Sequence, residues 1–370
     1  MRVALVHDWL TGMRGGEKVL EALCEIHPGA DLYTLVHRRG SVSPLIEGRR
    51  IETSLIQRLP GAARHYRRYL PLFPLAIERF TFEGYDLVIS SSHCAAKAAI
   101  APPGVPHVCY CHSPMRYAWD QFDAYFGPAR VGWIASRLVY GPVLRRLARW
   151  DAASAARVTR FVANSRHVAG RIRRYYDRDA AVVYPPVDTD FFHPSTATPE
   201  AHVLVVSALV PYKRIELAIE ACAQVGVPLR IAGHGPDRAR LERGAPASTT
   251  FLGPLSGGAL REEYRRARAV LLPGEEDFGI VPVEAQACGT PVVALARGGA
   301  LETVADGETG VLFDRPAADA LAGAIARLSR LTFDRERLRC HAQRFSRPRH
   351  LAALRAVLDE TTAAPEGTRW

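Results

Sequence analysis

A chain of 370 residues, 48% hydrophobic and 23% charged, is long enough for two domains and has the composition of a globular protein. No apolar run approaches the roughly 20 residues that span a bilayer, and seven scattered cysteines make no disulfide framework. The net charge of +10 suits a polyanion. Helix-turn-helix, RNP and zinc-finger patterns are missing, which favours phosphorylated substrates or lipid over nucleic acid.

The chain opens on an apolar strand at residues 3–6 with no signal-peptide pattern ahead of it, so a cytoplasmic protein is expected. A loop with Gly15 and Gly16 follows, then a helix from near Gly16 with Val19, Leu20, Leu23 and Ile26 on one face. Strand, glycine-rich turn, helix is a Rossmann-like opening, but the missing G-x-G-x-x-G argues against a dinucleotide enzyme. Glycines here let backbone approach a ligand closely. Further strands are expected at 31–36, 50–53, 85–92 and 107–112. The last places His112 at the carboxyl edge of the sheet and carries Cys109 and Cys111, read as buried reduced thiols because no second Cys/His pair has zinc spacing.

Between strands, residues 62–74 alternate cationic and aromatic side chains beside an apolar run. The segment is either an amphipathic stretch that touches anionic membrane at its inner face or receives a lipid-linked acceptor, or a solvated basic face on a surface helix. Residues 131–156 are expected to be helical, with Arg145, Arg146 and Arg149 as a second basic face. Ser165 caps the next helix, and Pro185-Pro186 forces extended backbone at the end of the first domain, 1–186.

The second domain, 187–345, starts with a strand at 202–207, then Lys213 and Arg214 just ahead of an amphipathic helix. The strand at 229–232 ends in Gly233-His234-Gly235-Pro236, and another strand lies at 250–253. An apolar strand at 269–273 leads into a loop holding Glu276. A short helix from about Ile280 to Ala287 follows, with Pro282 in its first turn, Glu284 on it and Gly289 beyond its end. The N–H groups at its start, around Phe278, Gly279, Ile280 and Val281, make a seat for a diphosphate. Two carboxylates at this spacing suit vicinal sugar hydroxyls, although in isolation they would read as solvated side chains. Strands alternating with helices call for two doubly wound α/β domains. Residues 346–370 are expected to return to the first domain, with a frayed tail from Thr361.

The segment Phe278-Gly279-x-x-x-x-Glu284-Ala285-x-Ala287-x-Gly289-x-Pro291-Val292-Val293 resembles the E-x7-E signature of the retaining glycosyltransferases of family 4. Tyr110-x-His112-x-Pro114-x-Arg116-Tyr117-x-Trp119-Asp120 is similar to a second block of that family. The resemblance implies the GT-B fold, two Rossmann-like domains with a crevice between them, and transfer of a hexose from a nucleoside diphosphate to an acceptor hydroxyl. It implies that no cofactor or metal is needed, and no metal-binding D-x-D stands in a crevice position. Glu276 would hold the sugar, Glu284 the ribose and His112 the sugar's other side. Gly15 and Gly16 would close over the donor, Gly233 and Gly235 approach the nucleotide, and Arg116 meet an acceptor phosphate. Lys213 and Arg214 would stabilise the leaving diphosphate. Ala208 stands where the family carries arginine, so Arg214 is expected to substitute.

The His7-Asp8-Trp9 opening and the Val210-Pro211-Tyr212-Lys213-Arg214 block look most like bacterial mannosyltransferases of surface polysaccharide synthesis. GDP-mannose with a glycan or polyprenyl-diphosphate-linked acceptor is the expected pairing, and a UDP-hexose the alternative. A sugar-nucleotide epimerase of the same fold and a non-catalytic membrane-associated scaffold are the readings from other classes.

Overall fold

The computed structural model describes residues 1–196, 198–368 and 370. The chain forms two compact units, Met1–Pro186 with His350–Trp370, and Val187–Arg349.

In the first unit, β1 (Val3–His7), β2 (Asp31–Thr34), β3 (Ile51–Thr53), β4 (Leu87–Ser92), β5 (His107–Cys111), β6 (Arg160–Ala163) and β7 (Ala180–Val182) form one sheet. Its order is β3-β2-β1-β4-β5-β6-β7, and every pairing is parallel. Residues of one strand alternate between cores: Ala4 and Val6 join one cluster, Val3 and Leu5 another. Both faces are therefore covered, as an all-parallel sheet requires. The helix Gly15–Ile26 buries Val19, Leu20 and Leu23 in the second of these clusters, with Ile26 half-buried at its edge.

In the second unit, β8 (Val203–Val206), β9 (Leu229–Ala232), β10 (Thr249–Gly253), β11 (Ala269–Leu272), β12 (Val292–Leu295) and β13 (Gly310–Phe313) form a parallel sheet of order β10-β9-β8-β11-β12-β13. Val203, Val205, Ile231, Leu271 and Val293 pack one face against the helices Ile215–Val225 and Ala318–Leu328.

Several expected elements are trimmed. β2 ends at Thr34, because the chain turns away to set a bridge between Leu10 and His37. β5 stops at Cys111, one residue short of His112, and Cys109 and Cys111 lie buried together on one side of it. The first helical stretch after 131 includes a π-helix, Ala135–Tyr140, ahead of the helix Gly141–Ser154. Ser165 caps Arg166–Tyr176, its Oγ accepting from Val168 N at 3.0 Å. The tail is less frayed than expected. The helix Arg347–Ala363 buries Leu354 and Leu358 in the first unit, and the Arg160 guanidinium stacks 3.7 Å from the Trp370 ring centroid. No helix among the described residues is long and apolar enough to cross a membrane.

Candidate active site

In each sheet the strand order reverses beside the first strand, between β8 and β11 in one unit and between β1 and β4 in the other. The carboxyl ends of the strands at such a switch point are where open α/β sheets bind ligands.

In the second unit, β8 leads through residues 207–210 to the turn Pro211–Lys213, and β11 leads to Gly274. A Cβ on Gly274 would stand 2.8 Å from the Tyr212 carbonyl and 3.0 Å from Lys213 Cα, so only glycine lets the two loops approach this closely. That approach allows Lys213 Nζ to donate to Glu276 Oε1, an ion pair with both side chains only 15% exposed.

The Glu276 backbone is fixed from its other side. It bridges Gly298, and Gly299 N donates to its carbonyl at 2.8 Å. Gly298 has φ +60°, and a Cβ there would lie 2.2 Å from Glu276 O; on Gly299 it would lie 2.3 Å from Phe278 O. Next along the chain, Gly279 (φ 85°) admits the helix Ile280–Ala287, which has no side chain capping its first turn. Its opening N–H groups are thus available to an anion. Glu284 is buried on this helix, contrary to the exposed position its polarity alone would give it, and Tyr264 Oη donates to its Oε2 at 2.9 Å. Burial and the Glu284 charge hold the Tyr264 phenol well above its ordinary range, so it remains a donor. Gln286 locks the helix by donating to Thr303 O at 2.7 Å, with His341 Nδ1 2.7 Å from its carbonyl oxygen.

The turn after β9 completes this edge. A Cβ on Gly233 would fall 1.9 Å from Ser207 O, and one on Gly235 would fall 2.3 Å from Leu209 O. Arg214 is exposed and sits at φ 51° at the start of Ile215–Val225. Among the described residues it forms no ion pair.

In the first unit, Asp8 follows β1 and is fully buried. Its carboxylate accepts four backbone N–H groups, from His93 (2.7 Å), Cys94 (3.0 Å), Ala95 (2.6 Å) and Ala96 (2.8 Å), which fixes the turn leaving β4. His93 Nδ1 lies 3.1 Å from the same carboxylate. Burial lowers the His93 pKa, against the pull of the Asp8 charge. Beside it, Ser91 Oγ stands 2.8 Å from His112 Nε2 and 3.2 Å from His7 Nδ1. His7 Nε2 in turn lies 3.9 Å from Glu17 Oε1. Burial opposes the Glu17 charge, yet hydrogen bonding and attraction from His7 hold that carboxyl below its usual range. A Cβ on Gly16 would stand 3.6 Å from both His112 and His7, so the Gly15–Gly16 helix start closes one wall of the cluster. Asn164 Nδ2 donates to His112 O at 2.9 Å. Arg116 is half-buried at the start of the short helix Arg116–Trp119.

The sequence-derived residues thus gather in two sets, each at the switch point of its own sheet. Gly15, Gly16, His112 and Arg116 belong to the first unit. Lys213, Arg214, Gly233, Gly235, Glu276, Phe278, Gly279, Ile280, Val281 and Glu284 belong to the second. The structure adds Asp8, Glu17, Ser91 and His93 to the first set, and Tyr264, Gly274, Gly298 and Gly299 to the second. The Gly298-Gly299 pair was a visible signal in the sequence; the surroundings of Asp8 and the partners of Tyr264 and Ser91 were not.

Residues 14–191 match the family model "Glycosyltransferase Family 4", and residues 187–345 match "Glycosyl transferases group 1". Among curated proteins, the D-inositol 3-phosphate glycosyltransferase of Gordonia bronchialis is 34% identical over 50% of this chain and 49% of its own. That of Mycolicibacterium smegmatis is 36% identical over 42% of each. The chain thus spans about half the length of the curated relatives it matches. Among solved structures, HepE of Anabaena in complex with UDP superposes with a TM-score of 0.70 at 18% identity, covering 97% of this chain and 100% of the other. That likeness shows the fold, which is GT-B. With two adjoining family models running from residue 14 to residue 345, the chain belongs to glycosyltransferase family 4.

Proposed function

We propose that this protein is a retaining glycosyltransferase that moves a hexose from a nucleoside diphosphate to an acceptor hydroxyl. The observation that carries the reading is the Lys213–Glu276 pair at the β8–β11 switch point, next to a helix with uncapped N–H groups and a buried Glu284. The helix start receives the diphosphate, and Lys213 turns from Glu276 to the leaving phosphate as the glycosidic bond breaks. Glu276, released from the ion pair, accepts from sugar hydroxyls, and Glu284 from the ribose. Arg214 supplies a second positive charge to the diphosphate, in place of the arginine that Ala208 replaces. In the first unit, His112 contacts the sugar and Arg116 an acceptor phosphate. Among the described residues no carboxylate is set apart as a covalent nucleophile, so departure and attack take place on one face, the leaving phosphate taking the acceptor proton. The chemistry needs no metal or cofactor in this scheme, because Lys213, Arg214 and the helix start meet the charge.

The donor we favour is GDP-mannose, on the His7-Asp8-Trp9 and Val210–Arg214 blocks, and the acceptor is a glycan or a polyprenyl-diphosphate-linked sugar at the inner face of the membrane. A UDP-hexose is the second reading, supported by the UDP and UDP-glucose complexes in which HepE was solved. The test is the thermal midpoint of the purified chain against GDP, UDP, ADP and their sugar conjugates, since a ligand of the folded state raises it. A rise with GDP-mannose that Glu276→Ala removes supports the proposal. A rise with UDP conjugates alone replaces the donor, and no rise with any of them refutes the catalytic reading.

A further inference from the structure

Away from its switch point, the first unit carries a surface whose patterning is inverted. After the turn at Gly132 (φ 82°), the chain runs through the π-helix Ala135–Tyr140 into the helix Gly141–Ser154. The inward positions along this stretch are Ser136, fully buried, and then Leu144 and Leu147, which enter the core with Tyr66 and Phe73. The bulky apolar side chains point the other way: Trp133, Ile134, Leu138 and Val139 are 63%, 68%, 66% and 54% exposed. A helix selected only to sit on a core in water keeps serine outside and leucine inside. Four large apolar side chains within seven residues make a patch of the kind that marks a binding surface.

Its charge identifies the partner. Between Asp123 and Asp151 the sequence has five arginines, Arg130, Arg137, Arg145, Arg146 and Arg149, and no acidic residue. All five are exposed. The 62–74 segment, whose Tyr66 and Phe73 are core residues, adds exposed Arg64, Arg67 and Arg68 over the same cluster. Tyr66 and Phe73 are therefore unavailable for contact, while Leu72 and, just beyond the segment, Leu75 are exposed. A second copy of this chain is a poor partner, because a two-fold contact would set the same arginines against each other. Apolar side chains led by a tryptophan and ringed by arginine match the boundary between acyl chains and anionic headgroups.

We propose that the 133–139 surface docks the protein on an anionic lipid bilayer. Trp133, Ile134, Leu138 and Val139 enter the acyl boundary, and the flanking arginines meet headgroup phosphates. The contact is peripheral, and it stands apart from the glycosyl-transfer reading because it uses none of the residues at either switch point.

The test is co-sedimentation of the full chain with vesicles of phosphatidylcholine alone or with phosphatidylglycerol added. Binding is expected to the anionic vesicles and to weaken with salt. The Ile134→Ser/Leu138→Ser variant should lose more than about tenfold in partitioning, and Arg145→Gln or Arg146→Gln about fivefold each. Because these side chains are exposed, circular dichroism and the thermal midpoint should stay as in the parent. Brominated acyl chains should quench tryptophan emission in the bound protein, and Trp133→Phe should remove most of that quenching. The proposal is overturned if the parent stays in the supernatant with both vesicles, or if the serine variant binds as the parent does. It is also overturned if sedimentation equilibrium finds a self-association that the serine variant abolishes, which would give the surface to a second copy.

Discussion

Replacing Gly298 with alanine tests whether the position of Glu276 is set by its neighbours. The new Cβ would stand 2.2 Å from the Glu276 carbonyl oxygen, whereas ordinary contact begins at 3.4 Å. Relief therefore needs a shift of more than about 1 Å in the Glu276 backbone, or the equivalent on Gly298. Holding alanine at φ +60° adds roughly 1–2 kcal/mol, and overpacking roughly 1–3 kcal/mol. If the backbone resists, the second unit loses about 2–5 kcal/mol, and each kcal/mol moves the midpoint of a domain this size by about 2–4 °C. If it yields, the Gly299 N to Glu276 O hydrogen bond breaks and the carboxylate moves off Lys213. A misplacement of about 1 Å costs roughly 100-fold in turnover. The assay pairs thermal unfolding with kcat for the donor identified by thermal shift. Either a large drop in midpoint or a loss of turnover at near-parental stability is expected. A variant within about twofold of the parent in turnover and within about 1 °C in midpoint would refute the claim that the Gly298 contact holds Glu276.

Tyr264→Phe removes the hydroxyl that donates to buried Glu284, which should cost about 1–3 kcal/mol of stability and raise KM for the donor more than it lowers kcat. Ser91→Ala removes the link between His112 and His7; donor-induced thermal shift should persist while kcat falls and its pH profile changes, and an unaltered profile would reduce Ser91 to packing. His107 is buried with Nε2 2.8 Å from Ser90 Oγ, and burial, with the nearby Lys97 charge, lowers its pKa from 6.5 to about 3. Its neutral form therefore adds stability that is complete above pH 6.5 and is lost as pH falls toward 3. Between pH 7 and 4.5 that loss is about 2–3 kcal/mol. His107→Gln should reduce the acid destabilisation by this amount in urea titrations followed by tryptophan fluorescence. All five tryptophans, Trp9, Trp119, Trp133, Trp150 and Trp370, lie in the first unit, so the signal reports that unit alone.

What the sequence made legible follows from which interactions are local. The helix Ile280–Ala287 was readable to the residue because its limits are set by Gly279, Pro282 and Gly289, all within the segment. The buried strands were readable as apolar runs because a parallel sheet covered on both faces tolerates little else. Strand ends were read one or two residues long at β2 and β5, where the chain departs to make contacts far along the sequence. The same distinction divides the site. Glu276 and Glu284 stood out through their shared short segment. Two of their partners, Lys213 and Tyr264, are 63 and 20 residues away, and only Lys213 was found, by its place ahead of a helix. Asp8 shows the limit most plainly. A carboxylate after a strand reads as a solvated loop residue, and its role appears only once β4 is laid beside β1, bringing four N–H groups from 85 to 88 residues away to one buried carboxylate. Pairing β1 with β4 is what makes the switch point. The fold that creates the switch point of the first unit therefore also creates the environment that turns Asp8 from a surface charge into the anchor of His93.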